Sequence, residues 1–383
     1  MSLDPETFEQ LLETVRRFVA ERLVPREAEV AAKDAMPEDL VDQMRALGLF
    51  GLSIPTEFGG LGLSMSEEVR VVFELGRTSP AFRSVFGTNV GIGSQGLVMD
   101  GTPAQKQKYL PRIATGEIIT SFALTEPEAG SDAASLRMTA RKDGARYILN
   151  GTKRFITNAP EAGLFTVMAR TGGKDSGARG VSAFLVEAAT KGLSIGKPDA
   201  KMGQQGAHTA DVIFEDVSVP ADALLGGVEG RGFKTAMKVL DRGRLHISAL
   251  CVGVAERLLA DSLSYARERK QFGQAIAGFQ LIQAMLADSR TEAYAGRTMV
   301  LDASRRRDAG EDIGTEAACC KYYTSEMVGR VADRAVQIHG GAGYMTEYGI
   351  ERFYRDVRLF RLYEGTSQIQ QLVIARNMLR ETE

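Results

Sequence analysis

Tryptophan is absent from the 383 residues, and cysteine and histidine occur only three times each. Cys251, Cys319 and Cys320 are odd in number and two of them are adjacent, which argues against a disulfide framework and for a reducing compartment. His208, His246 and His339 lie far apart, and no HExxH, CxxC pair or GxSxG elbow occurs, so zinc hydrolysis and serine acyl transfer lose their basis and no metal ligand is assigned. Each histidine is read as structural. An excess of one charge is also missing: the formal net charge is -2, with neither a basic tail nor a lysine-rich block, so neither nucleic acid nor an anionic membrane surface is an expected partner. No apolar run approaches membrane-spanning length, and MSLDPETFEQLLETV has neither the pattern of a secretory leader nor that of an arginine-rich presequence; an unprocessed, cytoplasmic protein is expected. No GxxxxGK[ST] loop is present, and the glycine clusters at 58–62 and 340–343 do not follow a strand in a βαβ unit, so a nucleotide cofactor would have to be held by other means.

The chain is 44% hydrophobic and 25% charged, enough for two or three domains. Phe8, Leu11, Leu12, Val15, Phe18 and Val19 keep helical spacing behind Asp4 as cap and Pro5 in the first turn. Further helical patterns cover about 38–48, 65–78 and 103–115. From about residue 121, β-branched and aromatic runs alternate with turns; Asn150-Gly151, inside RYILNGTKRFITN, predicts a hairpin. Helical patterns return after about Gly230 and predict four long helices, hence a bundle. The expected fold is α+β: a helical domain over 1–120, a small antiparallel, barrel-like β domain over 121–228, and a four-helix bundle over 229–383.

Several polar, glycine-containing turns remain: LTEPEAGSD (124–132), FITN (155–158), RKQFG (269–273), QIHGGAGY (337–344) and YEGTSQ (363–368). In the last of these Glu364 precedes Gly365, and Thr366 or Ser367 can cap the apolar helix that follows. Alone, this is a helix restart with a solvated acid, or a carboxylate held at a helix entrance inside a cleft, a place suited to a general base.

Together and in this order, TEPEAGSD, NGTKRFITN, KMG…FEDVSVP, ERKQFG with Gln280, QIHGGAGY and YEGTSQIQ resemble the acyl-CoA dehydrogenase family of flavoproteins along the whole chain. The resemblance implies FAD between the middle and C-terminal domains of a homotetramer, and electron-transfer flavoprotein as the electron acceptor. It implies that Phe122, Leu124, Thr125, Gly130 and Ser131 lie along the flavin and its pyrophosphate. Phe155, Ile156 and Thr157 would flank the isoalloxazine, with the Thr157 hydroxyl towards N5. Arg269, Gln271 and Phe272 would reach FAD across a subunit boundary, the Arg269 guanidinium suited to paired bonds with phosphate oxygens. Gln280, Gln337, Gly341, Thr366 and Gln368 would complete the cofactor contacts, Gly341 by close backbone approach.

The same resemblance implies α,β-dehydrogenation of an acyl-CoA to trans-2-enoyl-CoA, with Glu364 taking the α-proton, hydride passing to flavin N5, and the Glu364 N–H helping to hold the thioester carbonyl. Some relatives place the base on another helix, at the position of Gly243. Ser131, Asp241, Arg244, Tyr363 and Gly365 would contact the acyl-CoA. Phe155 stands where many members have tryptophan, and Gln205 where arginine is common. Arg83, in SPAFRSVFG, resembles the arginine of glutaryl-CoA dehydrogenases that pairs with a distal carboxylate, so a dicarboxyl substrate is one alternative. An acyl-CoA oxidase and a non-catalytic scaffold of the same fold are the others.

Overall fold

A computed structural model describes residues 3–381; residues 1–2 and 382–383, at the outer ends of the first and last expected domains, lie outside the described residues. Seven helices come first: α1 (Pro5–Phe18), α2 (Glu27–Lys33), α3 (Glu38–Ala46), α4 (Met65–Leu75), α5 (Pro80–Val90), α6 (Gln95–Asp100) and α7 (Pro103–Ala114). The Asp4 carboxylate accepts from Thr7 N at 3.0 Å, so the expected cap forms, and Phe8, Leu12 and Val15 face inward. Capping boxes start α4 (Ser64, Glu67) and α7 (Thr102, Gln105). The α4 start carries a third cap from the far end of the chain, Asp308, which accepts from Met65 N and Ser66 N at 2.8 Å each.

The middle region holds β1 (Thr120–Ala123), β2 (Thr139–Asp143), β3 (Arg146–Thr157), β4 (Leu164–Arg170), β5 (Val181–Glu187), β6 (Leu193–Ile195) and β7 (Thr209–Pro220), ordered β1-β4-β2-β3-β7-β6 with β5 also on β4. Two sequence expectations change here. The sheet is mixed rather than purely antiparallel, because β1 runs parallel to β4, Phe122 opposite Thr166. Asn150-Gly151 is not a hairpin turn: β3 continues through it with a bulge opposite β7, and the turn is Gly144-Ala145, closed by the Asp143–Arg146 pair. Asn150 stabilises the bulge by exchanging hydrogen bonds with Asp216, its Oδ1 accepting from Asp216 N at 2.8 Å and its Nδ2 donating to Asp216 Oδ1 at 2.9 Å. Gly151 has φ 146°, and a Cβ there would lie 2.9 Å from Met138. Both faces of β4 are covered: Phe165 and Val167 pack in the sheet's own core, Leu164 and Met168 against α7 residues Leu110 and Ile113.

The C-terminal region is built from α8 (Gly232–Glu268), a short hairpin β8 (Lys270–Gln271) and β9 (Gln274–Ala275), then α9 (Gln280–Asp308), α10 (Gly314–His339), α11 (Gly341–Tyr344), α12 (Ile350–Val357) and α13 (Ser367–Glu381). Leu250, Val254, Val300, Met327, Val331 and Phe353 share its core, which extends to Val69, Val72 and Phe73 of α4. Cα of Gly253 on α8 would lie 2.8 Å from a Cβ at Gly76, so the end of α4 and the middle of α8 touch through backbone. The three cysteines are free thiols. Among the described residues no helix is long and apolar enough to cross a membrane.

A buried carboxylate ties the helical regions together. Glu27 accepts from Thr78 Oγ1 at 2.7 Å and Ser79 N at 3.0 Å at the α5 start, from Arg257 of α8 at 3.3 Å, and from Arg352 of α12 at 2.6 Å. Glu27→Ala strands the buried Arg352 guanidinium, while Arg257 keeps Asp261 and the Arg77 carbonyl, and should cost about 3–5 kcal/mol of stability. The denaturant midpoint should fall accordingly, and fall less for Glu27→Gln, which keeps an acceptor.

Candidate functional site

A cleft of about 430 Å³ opens where the sheet, α5, α8 and the segment before α13 meet, a size usual for a small-molecule site. Its sheet wall is set by two polar locks. Glu126, in the loop after β1, accepts from Arg137 N at 2.6 Å and Met138 N at 2.9 Å, and pairs at 2.8 Å with the fully buried Lys153 of β3. Burial pushes the Lys153 ammonium down to about 8, against the pull of Glu126. At the end of β3, Asn158 (φ 58°) donates to Ser84 O at 2.8 Å and Thr88 Oγ1 at 2.9 Å, fastening the strand to α5. Between the locks β3 bulges at Arg154-Phe155, and Phe155 takes φ 57° and turns 63% exposed into the cleft. Strain of this kind in a bulky residue marks a position that the surroundings impose.

The other wall carries the turn quoted above. Glu364 has φ 52° and Gly365 φ 88°, two successive left-handed residues. Gln370 Nε2 donates to the carbonyls of both, at 3.0 and 3.1 Å, and Lys321 Nζ donates to Gly365 O at 2.6 Å. Thr366 Oγ1 accepts from Ile369 N at 3.2 Å and caps α13, so capping and presentation of the acid coexist. The carboxylate lies against α8: a Cβ at Gly243 would be 2.3 Å from Glu364 Oε2. That oxygen is buried without a hydrogen-bond partner, and the Glu364 N–H donates to no group among the described residues. Burial pushes the Glu364 carboxyl above the ordinary carboxylate value, partly offset by Arg83, Lys321 and Arg244.

Arg83 lies over Gly87, one turn further along α5, where a Cβ would sit 2.7 Å from its guanidinium carbon. Its Nε donates to His246 Nε2 at 2.8 Å, and the opposite ring nitrogen contacts Glu68 Oε1 at 2.6 Å. Burial and the charge of Arg83 hold His246 down to about 4, so the ring is neutral and its Nδ1–H donates to Glu68. Burial works against ionisation of Glu68, but the adjacent Arg242, His246 and Arg83 outweigh it and keep the carboxyl below its ordinary value. His246 is therefore a structural histidine, as expected, whose structure serves the cleft.

Of the residues singled out in the sequence, Arg83, Phe122, Leu124, Thr125, Gly130 and Ser131 line this cleft. So do Phe155, Ile156, Thr157, Arg244, Tyr363, Glu364 and Gly365. Asp241 stands one turn from Arg244 and pairs with it at 2.5 Å. Gln368 is exposed on α13. Arg269, Gln271, Phe272, Gln280, Gln337 and Gly341 do not line it: they gather where α8 ends and α9 begins, near the end of α10, with Phe272 93% exposed at the hairpin tip. A Cβ at Gly341 would meet nothing within 4 Å, so the close approach expected there is not made within the chain. Lys321, Gln370, Glu68 and Gly87 were not singled out in the sequence; a lone lysine in the apolar run AACCKYY was the one available signal.

A planar, partly apolar cofactor such as FAD fits these residues: an exposed aromatic face at Phe155, the Thr157 hydroxyl beside it, and an unpartnered carboxylate oxygen on the opposing wall. Comparison with known proteins agrees. Profiles described as acyl-CoA dehydrogenase N-terminal, middle and C-terminal domains match residues 5–117, 121–217 and 230–379. The caffeyl-CoA reductase–Etf complex subunit CarC of Acetobacterium woodii is 41% identical over 374 residues, 97% of this chain and 98% of that one. The structure of butyryl-CoA dehydrogenase from Megasphaera elsdenii superposes with a TM-score of 0.94 at 34% identity, covering 99% of both chains. That of PigA with FAD and proline gives 0.94 at 31% identity, covering 99% of this chain and 98% of the other. Three profiles in chain order over nearly the whole sequence, on a fold shared end to end, establish that this chain belongs to the acyl-CoA dehydrogenase family of oxidoreductases.

Proposed function

We propose that this enzyme interconverts a saturated acyl-CoA and its trans-2-enoyl-CoA, with Glu364 exchanging the α-proton. The observation that carries this reading is the Glu364 carboxylate, buried in the cleft over Gly243 with Oε2 unpartnered. FAD, when bound, supplies the site that takes up or returns the hydride of the β-carbon. The chain's own part is to receive the proton and to stabilise charge developing on the thioester oxygen. The α C–H is weakly acidic, and a carboxylate held in a poorly solvated site has its proton affinity raised towards that of the activated substrate. The free Glu364 N–H is a preorganised donor for the thioester carbonyl. Gly243 carries no side chain and leaves room for the Glu364 carboxylate where it lies, which supports Glu364 rather than position 243 as the base.

The proton step is reversible, so the same group serves oxidation as an anion and reduction as an acid. The name of the CarC relative, a reductase in an Etf complex, supports electron-transfer flavoprotein as the redox partner and leaves the physiological direction to be assayed. Residues Arg269 to Phe272 and Gln280, gathered away from the cleft, suit a cofactor reached from a neighbouring subunit, as in a homotetramer.

A dicarboxyl substrate is favoured by one observation: Arg83 presents its guanidinium to the cleft with only Nε bonded, to His246, while its terminal nitrogens have no partner among the described residues. Such a cation matches a carboxylate at the far end of a short acyl chain.

Glu364→Gln should lower turnover of acyl-CoA with an artificial electron acceptor by about 10²–10⁴-fold at matched flavin content; full activity would exclude Glu364 as base. In the parent enzyme, dehydrogenation should rise with pH through a limb above the ordinary carboxylate range, since only ionised Glu364 accepts a proton. Enoyl-CoA reduction should show the opposite dependence. Comparing butyryl-, octanoyl- and glutaryl-CoA tests Arg83: Arg83→Gln should cost at least about 30-fold in kcat/KM, selectively for glutaryl-CoA, if it holds a carboxylate. Indifference of the parent to glutaryl-CoA would remove the dicarboxyl reading.

A further inference from the structure

Lys321 is a lysine with no exposed side-chain surface, on the face of α10 turned towards α8 and the segment before α13. Burying an ammonium is costly unless it is paired, yet no carboxylate lies within ion-pair distance of it among the described residues. Its hydrogen bond goes instead to a backbone carbonyl, Gly365 O, at 2.6 Å. That carbonyl belongs to the turn in which Glu364, a residue with a Cβ, adopts φ 52°. A left-handed conformation costs such a residue roughly 1–2 kcal/mol and persists only where its surroundings over-determine it. Gln370 supplies part of that restraint; the charged donor is Lys321.

We propose that Lys321 is a positioning residue for the base: its ammonium, bonded to the Gly365 carbonyl, locks the turn that places the Glu364 carboxylate over Gly243. The inference rests on Glu364 being the base. It explains why a buried charge is kept where an apolar residue would pack at lower cost. The groups that face Lys321 are Cys251 and Arg244 on α8, Glu326 on its own helix, and Glu364 itself. The Cys251 thiol, pushed up to about 12 by burial, stays neutral at physiological pH, so the carboxyl groups among them are those of Glu364 and Glu326. Burial brings the Lys321 ammonium down to about 8, within the range where an enzyme can be assayed. Loss of that proton replaces a charged donor by a weaker neutral one and removes a cation from beside the base.

The test is the pH dependence of kcat/KM, which reports ionisations of the free enzyme. It is measured for the flavin-loaded parent, Lys321→Gln and Lys321→Met, with butyryl-CoA and an artificial acceptor. The parent profile should be bell-shaped, its alkaline limb near pH 8. Lys321→Gln keeps an N–H donor without the charge. It should lose the alkaline limb, shift the acidic limb to higher pH, and retain more of the optimum rate than Lys321→Met. Lys321→Met should lower kcat at least tenfold with KM changed by less than about threefold. A Lys321→Met variant that keeps the parent's kcat overturns the proposal. So does an acidic limb in Lys321→Gln that coincides with the parent's. Glu364→Gln, run alongside, separates the two readings: if it is fully active the base assignment fails, whereas if it is inactive while the Lys321 profiles stay unmoved, only the positioning role fails.

Discussion

The Glu364 carboxylate lies against the backbone of α8 at a place where any side chain at residue 243 would collide with it. That contact needs three things at once. The turn before α13 must run left-handed through two residues, α8 must carry a glycine opposite it, and α10 must bring the Lys321 donor to the Gly365 carbonyl. Each belongs to a different helix, so the acid is placed by the packing of the bundle rather than by its own segment. Burial then does the chemical work, raising the proton affinity of the carboxyl, while the nearby cations offset part of that rise.

Glycines recur as room-makers around the cleft, each beside a long charged group. Gly243 accommodates Glu364, and Gly87 accommodates the guanidinium of Arg83. Arg83 is in turn held by a neutral His246, which is held by Glu68, whose charge is balanced by Arg242. Buried polar groups in such a chain are fully used only when every partner is present, which ties α4, α5 and α8 to one arrangement at the wall of the cleft.

Local patterns were readable wherever a residue's partner lay within a few positions. Asp4, Pro5 and the apolar spacing after them specify α1, and Thr366 specifies the start of α13. Asn150-Gly151 misled because the same dipeptide suits a tight turn and a bulge; what selects the bulge is Asp216, distant in sequence, together with the side chain of Met138 over Gly151. The parallel pairing of β1 with β4 was equally hidden, since strand order is a property of the closed sheet and not of either strand's composition. Lys321 was passed over, and His246, read as structural, gave no sign of Arg83 or Glu68, because a buried partner cannot be seen from one segment.

The sequence by itself determined the order of helical, strand-rich and helical regions, the family, and Glu364 as the acid to examine, because caps, periodicity and short motifs are encoded locally. Only the tertiary structure decided that Phe155 stands out from its strand on a bulge, that Glu364 is buried over Gly243, and that Lys321 and the His246–Arg83 pair converge on the cleft. Those outcomes depend on close approach between elements separated by up to about three hundred residues, and on desolvation, which exists only once the elements have packed.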